Sequence, residues 1–193
     1  NMLILDVITT ESRQRLEENA LDRLLQGVAG GDRDALAELY GRARTAVYAL
    51  ALSYLKNPTE AEDVTQDTFV QIWEKAPAYR SEGKALAWIM TIARNLALMR
   101  LRRQQRVGDL TEEEWMALPD EGRGLSHEER MLLHSAVAAL SEQERQIVLL
   151  YAVTGWKHRE IAALLQMPLP TVLSKYHRAL KKLKTHWKGE DAL

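Results

Sequence analysis

The sequence predicts an all-α protein, two small helical domains joined by a flexible acidic linker, with the C-terminal domain a helix-turn-helix. Three observations carry this. Apolar residues recur at three- and four-residue intervals along most of the 193-residue chain, which is the period of one helical face. Helix-start signals stand at the heads of those patterns: Asp32, Asn57-Pro58, Ser126 with Glu129, and Ser141 with Glu144. Glycine and proline are few, 10 and 5, and the alternation that marks strands is scarce. A chain of this length has room for two modest cores.

The elements follow in order. A first helix is expected over 12–29, stopped by Gly30-Gly31, and residues 1–30 form an N-terminal extension to which the sequence assigns no role. Asp32 then caps a long helix whose stripe is Leu36, Leu39, Tyr40, Val47, Leu50 and Tyr54. Asn57 precedes a proline at the first helical position, where a missing N–H costs nothing, and opens PTEAEDVTQDTFVQIWEKA. Pro77–Lys84 reads as a loop before a helix over 85–104. Residues 106–126 are polar, acidic and broken by Gly and Pro, so they read as the linker. Helices are expected near 127–140, 142–153, 157–166 and 169–187. The two domains expected are therefore 31–105 and 127–188.

Composition narrows the function. No cysteine is present, so there is no disulfide, thiolate nucleophile or cysteine zinc site. The five histidines are scattered, none at two-histidine zinc spacing, and no glycine-rich phosphate loop or Ser/His/Asp grouping occurs. The expectation is a protein without catalytic residues, metal or cofactor. No apolar run approaches the roughly 20 residues of a membrane span, so membrane insertion is not expected and a cytoplasmic location is. Net charge is only −1, yet it is segregated. Residues 94–106 carry five arginines and no acid, 109–129 carry eight acids against Arg123, and 171–188 carry six cations and no acid. Such blocks mark partner surfaces.

Near the C-terminus, Met167-Pro168-Leu169-Pro170 separates two apolar stripes. Ile161, Ala162 and Leu165 form one; Val172, Tyr176, Leu180 and Leu183 form the other. A short turn between two such helices imposes a steep crossing. The second helix presents Thr171, Ser174, Lys175 and Arg178 away from its stripe, as donors for base edges or phosphates in a major groove. Lys181 and Lys182 would ride on the backbone and make binding salt-dependent. Charge alone fits a solvated basic face equally well; the tight turn and the acid-free second helix favour duplex DNA.

SEQERQIVLLYAVTGWKHREIAALLQMPLPTVLSKYHRALKKLK is similar to the C-terminal promoter-recognition domain of bacterial sigma factors, through Glu144-Arg145, Ile147-Val148, Glu160-Ile161-Ala162, Pro168, Thr171-Val172, Ser174 and His177-Arg178-Ala179-Leu180. Gln166, Pro170, Leu173 and Lys175 depart from that pattern, and Leu173 puts an apolar group beside the reading face. The first half resembles the polymerase-binding part of the extracytoplasmic-function (ECF) class. Ala61-Glu62-Asp63-Val64-Thr65-Gln66-Asp67-Thr68-Phe69 carries that likeness, with Tyr79-Arg80-Ser81-Glu82-Gly83, Ala87-Trp88-Ile89 and Ile92-Ala93-Arg94-Asn95-Leu96-Ala97 behind it.

The resemblance implies a transcription initiation factor that joins core RNA polymerase through its β′ clamp and β flap. It implies that the acidic face Asp63, Gln66 and Asp67, at i, i+3 and i+4, docks on the clamp. By the same likeness, the loop with Tyr79, Arg80 and Lys84, and the helix face with Thr91, Arg94, Asn95 and Arg102, hold the melted non-template strand of the −10 element. One base turns out into the loop, with Tyr79 the exposed stacking candidate and Trp88 a buried structural residue. The −35 element goes to Thr171, Ser174, Lys175, Arg178, Lys181 and Lys182. An anti-sigma factor, often held at the membrane, is a further implied partner. A rival reading is a plain DNA-binding regulator whose first half senses or dimerises.

Overall fold

The computed structural model describes residues 2–104 and 139–190, with side chains over 12–103 and 139–185. Seven α-helices lie among the described residues: α1 Met2–Ala29, α2 Arg33–Leu55, α3 Pro58–Lys75, α4 Ala85–Gln104, α5 Glu142–Thr154, α6 His158–Leu165 and α7 Leu169–Glu190, with a 3-10 turn at Ala76–Ala78. The described residues contain no strand. The predicted linker 106–126, and the helix near 127–140 apart from its last two positions, lie outside the described residues.

The starts are where the capping residues put them. Asp32 accepts from the N–H groups of Asp34 and Ala35 at 2.9 and 3.1 Å, satisfying donors that have no partner within α2. Asn57 does the same for Glu60 at 3.0 Å, with Pro58 in the first turn of α3. Ser141 and Glu144 form a reciprocal capping box at the head of α5. Helix α1 differs from expectation by starting at Met2 rather than residue 12. No proline or glycine interrupts 2–26, so nothing stops the helix earlier, while the absence of a cap signal hid its start.

Between α6 and α7 the chain turns tightly. Gln166 adopts the left-handed region (φ 55°, ψ 44°), and two hydrogen bonds close the end of α6: Gln166 N–H to Ala163 C=O at 3.3 Å and Met167 N–H to Ala162 C=O at 3.0 Å. This is the Schellman pattern, which ordinarily uses glycine. The Pro168 carbonyl then accepts from Thr171 and Val172 at 3.0 and 3.1 Å, and Pro170 sits where its missing N–H has no helical partner. Gln166→Gly relieves the strained dihedral and is expected to raise unfolding stability by about 0.5–1 kcal/mol, less the entropy glycine adds to the unfolded chain; urea melts of both proteins measure it.

Leu21, Leu25, Leu39, Val47, Leu50, Val64, Phe69, Ile72, Ile89 and Met90 fill the space between α1 and α4. The sequence reading expects a separate second core, and here the structure differs. Ile147, Leu150, Trp156, Ile161 and Val172 belong to the same buried cluster as Leu50, because α5 packs on α2. The reason lies in α2. Leu50, Ala51, Ser53, Tyr54 and Leu55 are all buried, a band wider than one helical face, and α2 packs against α3, α4 and α5 alike. Ser53 satisfies its hydroxyl locally on Leu50 C=O at 2.6 Å.

Two expectations for α7 are corrected. Leu180 is 42% exposed, and the neighbouring Ala179 is the fully buried residue; Val172 and Ala179, seven apart, define the inner line, and the small side chain at 179 lets the helix approach. Lys182 donates from Nζ to Glu144 Oε2 at 2.7 Å rather than standing free. Burial works to push the Glu144 carboxyl up, but hydrogen bonds from Lys182 and Ser141 outweigh it and hold the group below the ordinary value. A depressed carboxylate stabilises the fold above its unfolded pKa, near 4.5, and that stability is lost as pH falls through the native value. Denaturant melts from pH 6 down to about pH 3 are therefore expected to show a smaller acid loss in Glu144→Gln than in the wild type.

Candidate functional site

Three surfaces collect the residues the sequence singled out. On α3, Asp63, Gln66 and Asp67 are all exposed and lie on one line at i, i+3 and i+4. The line continues to Val70, 58% exposed, which the sequence reading passed over although its spacing of seven from Asp63 was legible. Arg100 of α4 reaches into the acids: its Nε is 3.1 Å from Glu60, and its Nη2 is 3.6 Å from Asp63 and 3.7 Å from Asp67. Part of the basic run 94–106 is thus spent inside the molecule. The pair with Glu60 is the shortest and most enclosed of the three, with side chains 28% and 27% exposed, while Asp63 and Asp67 stay open to solvent.

The second surface is the loop 79–84 with α4. Arg80 and Lys84 are exposed, as are Thr91, Asn95 and Arg102 along one face of α4; Met99, 46% exposed, lies between the last two. The Thr91 hydroxyl donates to Ala87 C=O at 2.8 Å. Arg94 does not join this face: it is half-buried and hydrogen-bonded to Tyr54 of α2. Tyr79 differs from the expected free platform. It is half-buried, its ring packs on Trp88 with centroids 5.0 Å apart, and its hydroxyl donates to Asp22 Oδ1 at 2.5 Å. Burial, then the Asp22 contact, pushes the phenol well above its usual range. Trp88 is half-buried rather than fully enclosed.

Behind this loop stands α1, a partner that the sequence did not reveal. Asp22 also accepts from the Ser81 hydroxyl, and Glu18 Oε1 accepts from the Leu86 N–H at 3.0 Å. Glu18 therefore caps the start of α4 from another helix. Burial raises the Glu18 carboxyl against the lowering effect of the Leu86 and Ala85 N–H groups. Gln14 donates to Gly155 C=O, tying α1 to the α5–α6 turn as well.

The third surface is α7. Ser174, Arg178 and Lys181 are exposed, Thr171 and Lys175 half-buried. Arg178 Nη2 donates to Ser174 Oγ at 3.2 Å, so the two present one polar fork. Leu173 and Leu169, 37% and 40% exposed, border it. Lys182 is engaged by the Glu144 carboxylate, as Tyr79 is by that of Asp22. The described residues hold no group of three or more His, Asp or Glu placed to bind a metal.

These surfaces coincide with known modules. A sigma-70 region 2 family model matches residues 39–107, and a sigma-70 region 4 model matches 130–183. The ECF RNA polymerase sigma factor SigK of Mycobacterium tuberculosis is 30% identical over 172 residues, covering 85% of this chain and 91% of the relative. The chain belongs to the ECF sigma factors. SigK of Mycolicibacterium vanbaalenii is 28% identical over 186 residues, 92% of this chain and 94% of that one. The solved structure of CnrH in complex with the cytosolic domain of CnrY superposes with a TM-score of 0.63 at 25% identity, over 88% of this chain and 98% of CnrH. RpoE of Bartonella quintana, solved with the anti-sigma factor NepR, shares the fold at the same TM-score and 22% identity, over 79% of this chain and 96% of that one. As a sigma factor, the protein binds core RNA polymerase and directs it to promoters. The α3 stripe, the loop and α4 fall in region 2, α5 to α7 in region 4, and α1 precedes both. A region 2 in the first half displaces the plain-regulator reading. No described helix is long and apolar enough to cross a membrane.

Proposed function

We propose that the three surfaces divide the work of an alternative sigma factor between residues 31–105 and 127–188. Asp63, Gln66 and Asp67 dock on the polymerase clamp, with Val70 as an apolar neighbour. The loop 79–84 and the Thr91–Asn95–Arg102 face take the melted −10 strand, and Thr171, Ser174, Lys175, Arg178 and Lys181 take the −35 duplex. One observation supports this most: an exposed acidic stripe and an exposed basic recognition helix lie in separate sigma modules, each clear of the buried core. The protein has no chemistry of its own in this reading and acts in the cytoplasm as the specificity subunit of a catalytic partner.

A regulatory partner belongs to the same proposal. CnrH was solved in complex with the cytosolic domain of CnrY, and a corresponding anti-sigma factor is expected to clasp this protein. Co-purification with core polymerase followed by run-off transcription from genomic fragments tests the central reading. Assembly with core and a discrete set of start sites is expected; tight duplex binding alone, with no transcription, overturns it.

A further inference from the structure

The loop taken above to receive a flipped base is held by α1 in a way that fixes its hydrogen-bonding polarity. Asp22 is a carboxylate and accepts only. It takes the hydroxyl proton of Tyr79 at 2.5 Å and the hydroxyl proton of Ser81. Each hydroxyl has one proton and two lone pairs, so with its proton held by Asp22 each oxygen can only accept from a further partner. Glu18, bonded to the Leu86 N–H at 3.0 Å, occupies the free donor at the start of α4. The tip of the loop is open, since no atom lies within 4 Å of a Cβ built on Gly83, whose φ is +66°. Arg80, Glu82 and Lys84 are exposed around it; the two cations suit backbone phosphates, which position a strand without reading its sequence.

We infer that Asp22 is a specificity-determining positioning residue: by holding both hydroxyl protons it makes the loop an acceptor surface that selects a base bearing an exocyclic amine and rejects thymine. Cytosine, adenine and guanine each carry such an amine, whereas the pairing edge of thymine sets two carbonyl oxygens around a single N–H. Thymine in this loop brings acceptor against acceptor, and acceptors that a stacked base shuts off from water without pairing them are costly. This inference rests on the base-capture reading of the loop.

The test uses holoenzyme reconstituted with core polymerase and a promoter whose non-template strand is randomised across a preformed bubble. Sequencing of the retained strands reads the base preference at each bubble position. Wild type is expected to favour amine-bearing bases over thymine about tenfold at one position, and Asp22→Asn, which offers an N–H₂ in place of a carboxylate oxygen, to reduce that ratio to about twofold. Asp22→Glu restores it at least in part, which loss of packing alone would not allow. Ser81→Ala, at an exposed loop position, removes one of the two acceptors and lowers the ratio independently, so an Asp22 variant that fails to assemble leaves a second measurement. A wild-type preference for thymine, or equal ratios in wild type, Asp22→Asn and Ser81→Ala, overturns the inference. Absence of any selected position in wild type overturns the base-capture reading itself.

Discussion

Asp63→Ala combined with Gln66→Ala is expected to weaken assembly with core RNA polymerase by tenfold or more, with thermal unfolding within about 2 °C of wild type. Both side chains are exposed, and substitutions at such positions change stability by about 0.5 kcal/mol or less. A contact at the centre of an interface is worth far more: tenfold is about 1.4 kcal/mol. Losing Asp63 also removes one of three carboxylates around Arg100 and leaves the guanidinium with Glu60 and Asp67. The fold therefore keeps its own ion pair while the partner loses its contact. Titration of a fluorescently labelled protein with core polymerase gives the affinity directly. Undiminished assembly would place the dock on another face.

Arg178→Ala is expected to cost about 1–3 kcal/mol of promoter discrimination at the −35 element. The guanidinium is exposed and pre-oriented by Ser174 Oγ at 3.2 Å, an arrangement suited to a bidentate contact with a base edge. Lys181→Ala should instead weaken all sequences alike and lower the salt dependence by about one phosphate contact. Lys181 is the apt comparison because Lys182, one residue on, is engaged by Glu144. Holoenzyme binding to promoters with intact and scrambled upstream elements, at two salt concentrations, separates these behaviours. Equal loss on both promoters assigns Arg178 to the phosphate backbone.

What the sequence disclosed and what it hid divide along physical lines. Caps announce themselves, because Asp32, Asn57 and the Ser141–Glu144 box act on their own first turns. The acidic line on α3 and the exposed fork on α7 were likewise legible, being set by spacing within one helix. Leu180 was misplaced because α7 carries apolar residues on two sides, and only contact with α5 and α6 decides which side is inner. Contacts between distant residues left no local mark. Nothing in the string around Asp22 says that it meets Tyr79 and Ser81, 57 and 59 residues away. Arg100 read as part of a basic run, since its three carboxylates lie on another helix. The joining of α5 to α2 was missed for a similar reason: the stripe read along α2 carries no sign of a packing partner beyond the linker.

That shared core sets a length problem. Elements named for positions −35 and −10 lie about 25 base pairs apart, roughly 85 Å along a duplex that rises 3.4 Å per step. A folded body of this chain's size is on the order of 40 Å across, too short a ruler to touch both marks while α5 rests on α2. The linker read from the sequence, 106–126, has a contour of about 70–75 Å, enough to cover most of the gap once the halves part. Parting takes α5 off α2, so on this geometry a reader of both marks first gives up the apolar seam those two helices share.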